Sequence, residues 1–112
     1  MRVATFAVAA LVAAANVTGT WELEATFGDP KLAGRGGGFD CVLKQDGERV
    51  TGKCSGGTAD MTGEVKGETV TLRLPGGTPP TTFTGTLDKS GTRLQGRFVV
   101  GDKRGRFTAV KR

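Results

Sequence analysis

The sequence predicts an all-β domain, an eight-stranded antiparallel up-and-down (meander) β-barrel. Beyond position 16, apolar residues recur with period two in stretches rich in Thr and Val, as half-buried strands require. Glycine interrupts the chain every ten or so residues. A short pattern with glycine between apolar neighbours recurs as VTGTW (17–21), VTGKC (50–54), MTGEV (61–65), FTGTL (83–87) and LQGRF (94–98), and in reduced form as KRGRF (103–107).

The first element to be set aside is the leader. Met1 and Arg2 form a short positive start, 3–12 is apolar, and Ala13, Ala14 and Ala15 supply a small-residue cleavage site. The apolar stretch is shorter than the roughly 20 residues that cross a bilayer. Residues 1–15 therefore read as an export signal cut after Ala15, and 16–112 as one barrel domain with no transmembrane span. The expected location is the periplasm or the outside of the cell.

The strands are expected at 17–27, 38–45, 50–55, 60–66, 69–74, 81–88, 93–100 and 104–111. Two longer connections, 28–38 and 75–80, are rich in Gly and Pro. In the hairpin FDCVLKQDGERVTGKC (39–54), a two-residue Gly47-Glu48 loop of type II′ places Asp46 opposite Arg49. Leu43 then faces Gly52, and Cys41 faces Cys54. That non-hydrogen-bonded position brings Cα atoms to about 4.5 Å, within disulfide reach. A Gly67-Glu68 loop pairs Val65 with Val70 and Gly63 with Leu72. A Ser90-Gly91 loop pairs Leu87 with Leu94, Gly85 with Gly96, and Phe83 with Phe98.

Each hairpin collects its apolar residues on one face, and the recurring glycines share it. The interior of an eight-stranded barrel is only just wide enough for side chains. Inward glycines permit strong coiling and leave room for Trp21 and the phenylalanines. If the first and last strands close the sheet, Glu22 and Glu24 lie beside Arg104, Arg106 and Arg112, a complementary cross-strand seam.

The residue inventory excludes most chemistry. With no histidine and two cysteines, a closed metal site and a neutral-pH general base are both missing. Both serines fall in turns, and the carboxylates fall in turns or on outward faces. No catalytic residues, metal or cofactor are assigned, and the chain does not read as an enzyme. The GRGGG stretch (34–38) precedes a strand and lacks Lys-Ser/Thr, so it is not a phosphate loop. It reads instead as a connection between the first two strands. The net charge of +5 is modest, and no aromatic residues interleave the basic ones. Nucleic acid is therefore not an expected partner.

The VTGTW stretch resembles the Gly-x-Trp signature of the calycin superfamily, and LKQDGERVTGKCSG (43–56) resembles hairpins of small lipocalin-like exported bacterial proteins. The resemblance implies a barrel-end signature in which Trp21, two residues after Gly19, packs beneath a basic residue of the last strand. Lys111 has the inward parity for that role, and Arg112 is the second candidate. Avidins, also in this superfamily, use several tryptophans, whereas this chain has one. Calycin-type protease inhibitors insert an N-terminal trunk, of which cleavage after Ala15 would leave only Asn16, Val17 and Thr18.

Two functions follow as expectations. In the first, a small apolar or amphipathic molecule occupies an interior lined by Leu23, Phe39, Leu43, Val50, Met61, Leu72, Phe83, Phe98 and Phe107. In the second, the barrel is solid and acts through its outer surface as a protein- or envelope-interaction module. From Lys89 onward there are eight basic residues and one acidic residue, Asp102. Arg93, Arg97, Arg104, Arg106 and Arg112 share outward parity there and would face an anionic surface or protein.

Overall fold

A computed structural model describes residues 15–32 and 37–112. The leader up to residue 14, and residues 34–36 of the glycine-rich stretch, lie outside the described residues. Eight strands run β1 (Gly19–Phe27), β2 (Gly37–Asp46), β3 (Arg49–Cys54), β4 (Ala59–Lys66), β5 (Thr69–Leu74), β6 (Thr81–Leu87), β7 (Arg93–Val100) and β8 (Lys103–Lys111). They form a closed barrel in chain order, every neighbour antiparallel, with β8 returning to β1. No helix among the described residues is long and apolar enough to cross a membrane.

The tight turns match the dihedral signs that a type II′ turn needs. Gly47 and Gly67 both have φ 63°, and the glutamates that follow them are not left-handed. The same arrangement joins β7 to β8 through Gly101 and Asp102. The expected registers hold, including Asp46 with Arg49, Val65 with Val70 and Phe83 with Phe98. The connection from β6 to β7 differs: it spans Asp88 to Thr92, longer than a Ser90-Gly91 loop. The Asp88 carboxylate accepts from the Ser90 hydroxyl and from the Thr92 and Arg93 backbone N–H groups, taking the place of another ladder pair.

Carried through all eight registers, the pairing partner of Trp21 returns to the first strand's line at position 31, a shear of ten residues. With eight strands, that shear sets a tilt of about 40°. Such coiling drives backbones together at the inward glycines. A Cβ on Gly96 would lie 2.0 Å from the Thr84 carbonyl oxygen, and one on Gly63 would lie 2.0 Å from that of Thr71. Only glycine fits there.

The space above other glycines is already taken. A Cβ on Gly85 would meet the tip of the Phe107 ring at 2.8 Å, and one on Gly105 would meet the Phe98 ring at 2.7 Å. The interior is one contiguous apolar cluster with no buried polar or charged residue among those described. The glycines thus serve close packing, and the large side chains occupy the room they leave.

Candidate functional site

The barrel has two unlike ends. One is shut by the segment ahead of β1. Val17 and Trp21 are fully buried, and the Trp21 indole N–H donates to the Val17 carbonyl oxygen at 2.8 Å. Lys111 lies on this side, with its ammonium 5.7 Å from the Trp21 ring centroid. Trp21 and Lys111 are also register partners across the β1–β8 seam, which favours Lys111 over Arg112 for this position. The Lys111 side chain crosses Gly19, where a Cβ would stand 2.9 Å from its Cε.

Gln45 locks the segment in place. Its side-chain oxygen accepts from Val17 N–H, and its amide donates to the Ala15 and Gly47 carbonyls. Its own backbone N–H donates to the Thr18 hydroxyl. The sequence reading did not assign this clamp. The available signal was a polar residue with inward parity, beside the segment ahead of β1, whose course the strand pattern does not specify.

The other end gathers the β1–β2, β3–β4, β5–β6 and β7–β8 connections around phenylalanines. Phe83 packs on Phe107 at 5.1 Å between centroids, on Phe98 at 5.9 Å and on Phe39 at 6.2 Å, while Phe27 meets Phe98 edge-on at 5.3 Å. Such distances are favourable for aromatic pairs. Phe83, Phe98 and Phe107 are buried, whereas Phe27 and Phe39 are half-buried at the rim.

Leu23, Leu43, Val50, Met61 and Leu72 are buried core residues, and Phe39 alone of the expected lining retains exposure. Cys41 and Cys54 form a disulfide across β2 and β3 with Cα atoms 4.0 Å apart, and both are buried. No group of acidic or cysteine side chains among the described residues is placed to hold a metal ion.

On the outside, Arg93, Arg97, Arg104 and Arg106 are exposed on β7 and β8, and Arg97 stands directly opposite Arg106. Arg112 leaves that group. It pairs with Glu22 and lies 3.5 Å from Asp40, and the Glu22 carboxylate followed by Asp40 holds its guanidinium above the ordinary value. Of the expected seam only the Glu22–Arg112 pair forms among the described residues, joined by Asp40 of β2; Glu24 stands opposite Thr108 and makes no ion pair with Arg104 or Arg106. On β4 and β5, Glu64 and Arg73 form a two-point pair at 2.7 and 3.0 Å. The hydrogen bond from Arg73 lowers the Glu64 pKa and raises that of Arg73.

No known protein family matches the chain, and no curated protein does. Two solved structures of redesigned β-barrels are similar in fold. One, b11L5F_LGL, aligns with a TM-score of 0.62 and 17% identity over 86% of this chain and 90% of its own. The other, mFAP1 bound to DFHBI, aligns with a TM-score of 0.53 and 17% identity over 86% of this chain and 94% of its own. These likenesses show a shared β-barrel fold, in keeping with the closed eight-stranded antiparallel sheet of this chain.

Proposed function

We propose that the protein is a non-enzymatic extracytoplasmic barrel that binds a small apolar or amphipathic molecule at its phenylalanine-lined end. The observation that supports this is the placement of Phe27 and Phe39. They are half-buried rings resting on a buried aromatic trio, at the end opposite the Trp21 closure. Because Phe98 and Phe107 fill the room over Gly105 and Gly85, the ligand sits at the rim and against these two rings, not deep inside. The bound DFHBI of the similar redesigned barrel supports small-molecule binding as a use of this architecture. The leader-like start and the Cys41–Cys54 disulfide support an exported location.

Native mass spectrometry of the exported protein, purified without detergent, followed by titration with a hydrophobic fluorescent probe, tests this reading. Saturable one-to-one uptake, weakened at least tenfold by Phe39→Ser, is expected. Absence of uptake, or equal uptake by the variant, would remove the aromatic end from the function. The same spectrum reports whether the chain begins at Asn16.

A second reading, a solid barrel acting through its outer wall, is favoured by the filled space above the glycines.

A further inference from the structure

The wall formed by β6, β7 and β8 contains no Asp or Glu. Its outward residues stand in rows across the strands. Thr86, Gln95 and Thr108 make one row, Thr84, Arg97 and Arg106 the next, and Thr82, Val99 and Arg104 a third. Arg93 lies beyond the first row, opposite Val110. Like charges directly opposite one another on neighbouring strands are unfavourable. Neither Arg97 nor Arg106 has a carboxylate within ion-pair distance among the described residues, whereas Lys53 and Arg73 each have one and Arg112 has two. An open hollow of about 410 Å³ is framed on this wall by Gln95, Arg97, Arg106 and Thr108.

We propose that this wall docks a linear anionic polysaccharide laid along β7 and β8, an inference that rests on the outer-wall reading. Its acidic groups would be taken by the Arg97–Arg106 pair, and its hydroxyls by Gln95, Thr108 and Thr84. Successive outward rows are about 6.8 Å apart, so the track from Arg93 to Arg104 extends about 20 Å, the length of a chain and not of a single anion. Guanidinium forks suit carboxylate, sulfate and phosphate oxygens. The outer face of the wall has no aromatic side chain on which bases would stack, its phenylalanines being buried inside the barrel. Its exposed apolar residues are Val99 and Val110, which do not form the buried anchor that protein interfaces centre on. Hydroxyl and amide donors between the arginines match a hydroxylated polymer.

The test uses dextran sulfate, uncharged dextran of equal length, and polyglutamate, at physiological ionic strength. Expected results are saturable binding of dextran sulfate, none of dextran, and a loss of at least tenfold in the Arg97→Gln/Arg106→Gln variant. Lys44→Gln/Lys66→Gln, which removes the same charge from other strands, should bind like the parent. Equal loss in both variants would reduce the effect to net charge and overturn the assignment. Undiminished binding by the arginine variant would also overturn it, as would polyglutamate binding as tightly as dextran sulfate, which would point to an acidic polypeptide. Probe uptake at the phenylalanine end should be the same in all variants, so failure here is separable from failure there.

Discussion

Lys111 and Trp21 face each other across the strand pair that closes the barrel, ammonium over indole at 5.7 Å. The contact joins the last residue of β8 to the first buried side chain of β1, the two elements farthest apart in sequence. Lys111→Met keeps the aliphatic stem and removes the charge. It should lower stability by about 0.5–2 kcal/mol, the range for a cation over an aromatic face. Trp21→Ala removes the ring as well and should cost about 3–5 kcal/mol. Urea titration of the two variants should show the second loss exceeding the first; similar losses would mean that the ring matters only as a seat for the charge.

Glycine positions separate sharply by environment. At Gly96 a Cβ would stand 2.0 Å from a backbone oxygen that the ladder holds in place, whereas at Gly76 nothing lies within 4 Å. Gly96→Ala should therefore destabilise by at least about 2–3 kcal/mol or prevent folding. Gly76→Ala should change stability by less than about 0.5 kcal/mol. Thermal unfolding of both variants checks the contrast.

The disulfide closes a short loop, Cys41 and Cys54 being 13 residues apart in sequence. Chain-entropy arithmetic gives about 3 kcal/mol for a loop of this size. Reduction, or Cys41→Ala with Cys54→Ala, should lower the urea midpoint accordingly while leaving the far-ultraviolet dichroism of a β-barrel. Loss of that spectrum would mean that the eight registers do not hold without the bridge.

Two carboxylates set an acid limit. The Arg73 hydrogen bond lowers Glu64 from its ordinary 4.5. At Asp88 desolvation raises the pKa, but hydrogen bonds from Ser90, Arg93, Thr92 and Gly91 together outweigh it and lower it from 3.8. A depressed folded-state pKa contributes stability above the unfolded value and loses it as pH falls through the folded value. Stability should thus be level above about pH 5 and decline from there through the carboxylate range. Glu64→Gln with Asp88→Asn should flatten that decline, as followed by unfolding midpoints between pH 6 and pH 2.

Arg97 and Arg106 oppose each other without an intervening acid. Arg97→Thr should stabilise the free protein by a few tenths of a kcal/mol, most clearly at low ionic strength, where screening is weakest. A stability loss of 1 kcal/mol would show instead that the arginine stem is part of the packing.

Strand order, the two Gly-Glu turns and the Cys41–Cys54 register were legible in the residues, because a two-residue turn and a period of two leave one pairing that keeps all apolar side chains together. The glycines marked the inward face for the same reason. Their purpose was not legible: whether they open a cavity or admit close packing depends on shear, a sum over all eight registers, and on where distant rings such as Phe98 and Phe107 come to rest. The Gln45 clamp, the release of Arg112 from the basic wall to Glu22 and Asp40, and the half-exposed Phe39 are likewise tertiary outcomes. Local alternation determined which face each residue occupies; closure of the sheet decided which residues meet there, because contacts around a barrel join strands that the sequence keeps far apart.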